Sequence, residues 1–245
     1  MSLAQWIGLA FLAVFIMALY RSKRQAQPDV LARLRPIPFF DQLTDAMARA
    51  AESGRALHVS LGTGGIASDL AADSLAALSV LEAIARRSGT FDRAPIVTLA
   101  DAALIPIALD MMQEPAHKQV GLQPAPDVRW LTSSPPAYAA GVMEVLGGSE
   151  VMSSVMVGAY GDEYLLMGEA ANRLNRRQLA GASDPTVLPF VWATAEGMLM
   201  GEELYAAGAY LSGRAWHVHS LLAQDCVRWM IVLAILVLVG FNSFF

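Results

Sequence analysis

The chain has 245 residues, of which 55% are hydrophobic and 16% charged, with a formal net charge of −5. Ordinary soluble domains carry about 25% charged residues, so this composition excludes a domain solvated on all sides and calls for extensive burial or a bilayer. Only two lysines are present, Lys23 and Lys118, and no basic face suited to nucleic acid can be read; the one cysteine, Cys226, excludes an intrachain disulfide and fits a reducing compartment.

Residues 3–20 are uncharged and would extend about 27 Å as a helix, enough to cross a bilayer. Arg21, Lys23, Arg24, Arg33 and Arg35 follow at once. Residues 21–54 read as a basic juxtamembrane linker, interrupted by Pro28, Pro36 and Pro38. It holds a short helix at 29–35 and an amphipathic one at 39–53, whose apolar positions Phe40, Leu43, Ala46, Met47 and Ala50 keep a three/four spacing.

Strands and helices then alternate through 55–213. Strands are expected at 56–61, 96–100, 128–132, 154–159, 178–182 and 197–200, with helices at 68–87, 103–113, 136–146, 162–174, 186–194 and 202–211. Short apolar strands separated by helices predict an α/β fold, a doubly wound and mostly parallel six-stranded Rossmann-like sheet. A connecting helix at 214–228 leads to a second uncharged stretch, 229–245. Basic residues lie just inside both hydrophobic ends, so the positive-inside rule predicts two spans in the cytoplasmic membrane, both termini outside and the middle in the cytoplasm. Residues 3–20 lack the charged start of a cleaved signal and read as a retained anchor.

The two halves of the middle echo each other. Residues 96–106 and 179–189 both end a strand in an aspartate, Asp101 or Asp184, and place a proline five residues later; Tyr138-Ala139-Ala140-Gly141 returns as Tyr205-Ala206-Ala207-Gly208. The shared order predicts a sheet built from two repeats, as doubly wound dinucleotide folds are.

Gly62-Thr63-Gly64-Gly65 lies between the first strand and first long helix, where a dinucleotide-binding turn would be. Gly62, Gly64, Gly65 and Asp101 are therefore the candidate cofactor-binding residues, for a nucleotide or dinucleotide. The other reading is a tight turn with no cofactor: Ala67 replaces the third glycine, and Asp101 lies 36 residues past Gly65, where about 20 is usual. Asp69, Asp101, Asp162, Glu163, Asp184, Glu202 and Glu203 crowd the same expected edge, where helix capping explains acids without a ligand.

Catalytic and metal sites are not expected. His217 and His219 stand two apart on a helix and point away from each other, and the single Cys226 is poor for zinc. Ser133 and Ser134 lack a nucleophile elbow and read as helix caps. Helices poor in charge all round at 103–112, 138–146 and 186–200 instead suggest a subunit interface, with Tyr138, Gly141, Tyr205 and Gly208 as its contact candidates.

The combination of residues 182–189, 201–212 and Ala223-Gln224-Asp225 before the last hydrophobic stretch resembles a bacterial membrane-protein family defined by a domain of unknown function. The resemblance runs over nearly the whole chain and implies two terminal spans around a cytosolic domain, with no functional residues to carry over. The expected function is a membrane-anchored, non-enzymatic scaffold that forms a large homo-oligomer in the lipid bilayer, with room for other membrane proteins and no nucleic acid. The alternative is a membrane-tethered nucleotide-binding sensor or enzyme that uses the turn at Gly62–Gly65.

Overall fold

A computed structural model describes residues 35–87, 93–118 and 125–212, with isolated helical positions between 6 and 20 and between 218 and 239. The chain divides into two compact units, Ile37–Leu211 and a second made from its two ends, Met1–Pro36 with Ser212–Phe245. No helix among the described residues is long and apolar enough to cross a membrane; the expected spans at 3–20 and 229–245 lie largely outside those residues. The expected helix at 29–35 lies outside them except for Arg35, which is not helical, and His217, His219 and Cys226 lie outside them as well.

The unit Ile37–Leu211 begins with α1 (Pro38–Ser53), which Gly54 ends in a left-handed turn at φ 63°. There follow β1 (Ala56–Gly62), α2 (Ala71–Arg87), β2 (Ile96–Leu99), a 3₁₀ turn at Ala102–Leu104, α3 (Ile105–Lys118) and β3 (Asp127–Trp130). The second half runs α4 (Pro135–Gly147), β4 (Val151–Ala159), α5 (Tyr164–Arg173), β5 (Arg177–Ala182), α6 (Leu188–Thr194), β6 (Gly197–Met200) and α7 (Glu203–Ser212). All strands are parallel in the order β3-β2-β1-β4-β5-β6, so the chain starts at the centre, winds to one edge, and crosses back to wind to the other. This is the Rossmann-like arrangement, with its crevice expected between β1 and β4 at their carboxyl ends.

Strand alternation divides the core. Leu57, Val59, Leu61, Val97, Leu99, Val155 and Leu179 join a cluster with α1, α2, α3 and the first turns of α7. The opposite face packs Met156, Ala180 and Ala182 under Tyr138, Val142, Tyr164, Met167 and Val191 of α4, α5 and α6. Grouped by sequence with the juxtamembrane stretch, α1 belongs inside this unit, where it crosses β1, β4, β5 and β6. Its early residue Gln42 lies against Gly197, which opens β6. Within its first turn, the Phe40 ring stacks on Tyr210 of α7 with centroids 4.7 Å apart. The two ends of the α/β unit therefore lie side by side.

Several boundaries differ from the sequence reading for local reasons. Residues 68–70 form turns rather than the start of α2, because the Ser68 hydroxyl accepts from the Gly65 and Leu70 amides instead. Three further residues join the start of β4, where Val151 pairs with Ala56. Ser134 occupies the N-cap position of α4 yet makes no side-chain cap bond, and the next two residues, Pro135 and Pro136, have no N–H to offer it.

Candidate functional site

The carboxyl ends of β1, β2 and β4 bring the predicted cofactor residues together. Gly62 ends β1 with φ 82°, and a Cβ there would stand 2.3 Å from the Ala159 carbonyl oxygen of β4. Gly65 lies under the Asp101 carboxylate, with a Cβ position 2.0 Å from Oδ2, and Gly64 presses on Ser74 and Ala159. All four candidates, Gly62, Gly64, Gly65 and Asp101, thus meet at one place.

A phosphate in such a turn is held by free backbone N–H groups. Here Thr63 N–H donates to Ala159 O at 2.8 Å, Gly65 N–H to Ser68 Oγ at 3.2 Å, and the Gly62 amide acts on the Tyr138 phenol oxygen. Asp101 Oδ1 accepts from Ala103 N–H at 3.0 Å, which caps the 3₁₀ turn. Asp184 does the same for Thr186 N–H at 2.8 Å, so the two aspartates of the sequence echo share one local role. That bond and the Thr186 hydroxyl hold the Asp184 carboxyl below the ordinary aspartate range. No side-chain cap bond accompanies Asp69 or Asp162. Across the crevice, Thr63 Oγ1 and Gly161 N–H both donate to Glu163 Oε1, at 3.3 and 2.8 Å. The loops after β1 and β4 are stitched to each other.

The interface candidates separate. Tyr138 is fully buried inside the unit, whereas Gly141 is partly buried and faces the Leu131 side chain. Tyr205 is about half exposed (48%) and donates to Asp73 Oδ1 at 2.6 Å; this contact raises its phenol above the usual range. Asp73, 4% exposed, also accepts from Ser183 Oγ at 2.8 Å and so ties α2 to α7 and to the loop after β5. Gly208 is half-buried on α7. Among the described residues no group of three or more His, Cys, Asp or Glu is placed to hold a metal ion.

Two features escaped the sequence reading. The first is a buried polar layer on the α4–α5 face of the sheet. His58 Nδ1 and Nε2 bond Ser154 Oγ at 2.8 Å and Thr98 Oγ1 at 3.0 Å; Ser60 Oγ meets Tyr138 Oη at 2.7 Å and accepts from Tyr160 Oη at 2.8 Å. Farther along, Gln178 Nε2 donates to Tyr164 Oη, which meets Thr194 Oγ1 at 3.2 Å. Burial drives the His58 pKa down to about 3 and pushes those of Tyr138 and Tyr164 up to about 12. Burial holds the layer in its neutral forms, and the Gln178 Oε1 within it is buried without a hydrogen-bond partner among the described residues.

The second feature is an apolar groove of about 680 Å³ between α4 and α5, lined by Met143, Leu165, Leu166, Ala170 and Leu174, with the Glu169–Arg173 pair beside it. Leu166 is 52% exposed, and Trp192, on neighbouring α6, is 71% exposed.

A family model described as a domain of unknown function, DUF6754, matches residues 2–244. No curated protein and no solved structure matches the chain.

Proposed function

The chain belongs to the DUF6754 family, and from that premise we propose that it is a membrane-anchored, non-enzymatic scaffold whose α/β unit associates with other copies of itself. The observation that carries the association is the α4–α5 groove. Its four large apolar side chains stand open on a folded unit, and apolar patches of that kind mark sites of contact with another surface. This moves the contact surface from Tyr138 and Gly141 to Met143, Leu165, Leu166 and Leu174.

Anchoring is supported by the described positions of the two chain ends. Trp6, Leu12, Ile16, Met17 and Tyr20 are helical and 52–69% exposed, as are Trp229, Ile235, Leu236 and Val239 at 55–73%. Large apolar groups exposed on helices at both ends suit lipid as the solvent. The Phe40–Tyr210 stack lets both ends leave from one place, which suits two antiparallel spans in one bilayer. With the basic residues at 21–35 and Arg228, the reading keeps the unit in the cytoplasm and both termini outside. Confinement to a plane raises the effective concentration of copies, so weak lateral contacts suffice.

The test is Leu166→Asp in the full chain. The variant is expected to keep its thermal transition, because Leu166 is half exposed, and to run as smaller particles in mild detergent than the parent. Equal particle size for both, or a parent that is monomeric at every concentration, would sink the proposal.

A second reading keeps the nucleotide, and one observation favours it: Asp101 follows β2, where a ribose-binding acid stands in dinucleotide folds. The engaged Thr63 and Gly65 amides and the absence of any described Lys or Arg at this edge weigh against it. The expected result is that millimolar NAD⁺ or ATP leaves the melting temperature unchanged; a shift that Gly64→Asp removes would reinstate this reading.

A further inference from the structure

We propose that Trp192 of a second copy fills the α4–α5 groove. This rests on the self-association reading above and names the side chain that occupies its contact surface.

Trp192 protrudes for a local reason. Val191 and Thr194 are the buried residues of α6, and Thr194 fixes that helix to α5. Its hydroxyl meets Tyr164 Oη at 3.2 Å, and a Cβ on Gly168 would stand 2.6 Å from the same oxygen, so the two helices touch closely here. With Val191 and Thr194 turned inwards, Trp192 is left outside, 71% exposed. Tryptophan is highly buried on average, and its N–H usually finds a partner once buried. Trp130 shows the ordinary arrangement, with Nε1 donating to Ala100 O at 2.9 Å. No such bond holds the Trp192 indole among the described residues.

The groove calls for a convex guest. Two grooves laid against each other would enclose a void, and atoms lining a void lose their contacts on one side. Met143, Leu165, Leu166 and Leu174 supply apolar wall, and the charged residues of the lining are Glu169 and Arg173, one of each sign. Glu169 Oε1 accepts from Arg173 Nε at 2.9 Å, and the carboxylate keeps further acceptor sites. An indole matches this lining, being an apolar plate with a single N–H donor and no charge. The placement also suits a reciprocal contact. Helix α4 lies over β1 and β4, α5 over β5, and α6 over β5 and β6, so α5 stands between the groove and Trp192 on one face of the unit. Two copies turned face to face about an axis along α5 fill both grooves at once.

The test uses full chains carrying two different tags, produced together and extracted in mild detergent. One tag is captured and the other is measured. Trp192→Ala should weaken self-capture about thirtyfold, and Trp192→Phe, which keeps an aromatic plate, should lose less. Both should keep the thermal transition of the parent, because the side chain is exposed. The decisive arm pairs Trp192→Ala on one tag with Leu166→Asp on the other. The first has an intact groove and the second an intact tryptophan, so this mixture should be captured well above either variant with itself.

Suppose that Leu166→Asp loses self-capture, but the mixture does no better than its members or Trp192→Ala pairs like the parent. Another group then fills the groove, such as the exposed Ile66, Leu70 and Leu75 of a second copy, and the assignment of Trp192 falls while the association reading stands. Leu166→Asp that captures itself as the parent does removes both.

Discussion

Gly62→Ala is expected to lower folding stability by about 3 kcal/mol or more, read as a shifted urea midpoint in the absence of any ligand. Two costs combine. An alanine would be held at φ 82°, a left-handed conformation that L side chains avoid, and its methyl would stand 2.3 Å from Ala159 O and 2.9 Å from Ala159 N. Those atoms belong to the backbone of β4, which pairs with β1, so they cannot rotate aside as a side chain would. Gly147→Ala is the control. Gly147 closes α4 in helical geometry with nothing within 4 Å of a Cβ, and the substitution should stabilise by about 0.5–1 kcal/mol. A ligand-free loss at Gly62 would show that this glycine serves the contact between strands. An alanine tolerated there would show the opposite and return the turn to a binding role.

Acid should unfold the protein through His58. Its ring is fully buried, both nitrogens are held by hydroxyls, and burial, with Arg129 adding repulsion, lowers its pKa from 6.5 to about 3. The unfolded chain therefore binds a proton that the folded chain refuses throughout that window. Stability is unaffected above pH 6.5, falls as the pH drops towards 3, and levels off below it. Between pH 6.5 and pH 5 the histidine contributes a loss of about 2 kcal/mol, since each pH unit inside the window is worth about 1.4 kcal/mol. In His58→Gln, whose amide can still bond Ser154 and Thr98, urea unfolding at the two pH values should differ by correspondingly less. Equal pH dependence in both proteins would mean that His58 is not the group that titrates.

How far the sequence revealed this protein depended on which force dominates at each place. The parallel order was readable because β1, β2 and β4 are buried on both faces and their apolar runs are separated by helices. Glycine spacing located the turn after β1, since only a residue without Cβ fits where Gly62 meets Ala159. The polar layer was hidden by the same alternation that identifies strands. His58 and Ser60 alternate with Leu57, Val59 and Leu61, a pattern that ordinarily means one face in water. Here that face is covered by tyrosines whose hydroxyls come from residues 78 and 100 positions away. Tyr138 was misplaced for the same reason: it resembles a surface aromatic beside small residues, but its hydroxyl satisfies Ser60 and Thr98 inside. The groove was out of reach as well, because Met143 and Leu166 sit on helices with an ordinary apolar pattern, and only the packing distance between α4 and α5 decides that they remain open.

The pairing of β1 with β4 sets the order in which the chain can fold. His58 and Ser154 are 96 residues apart, so the centre of the sheet waits for the longest closure between any two paired strands. Until β4 arrives, the nascent first half presents one unpaired edge of β1 and a histidine with half its hydrogen bonds unmade. A ribosome that stalls before residue 151 would leave a sticky intermediate, and a chaperone guarding the unit during synthesis would have that edge to cover.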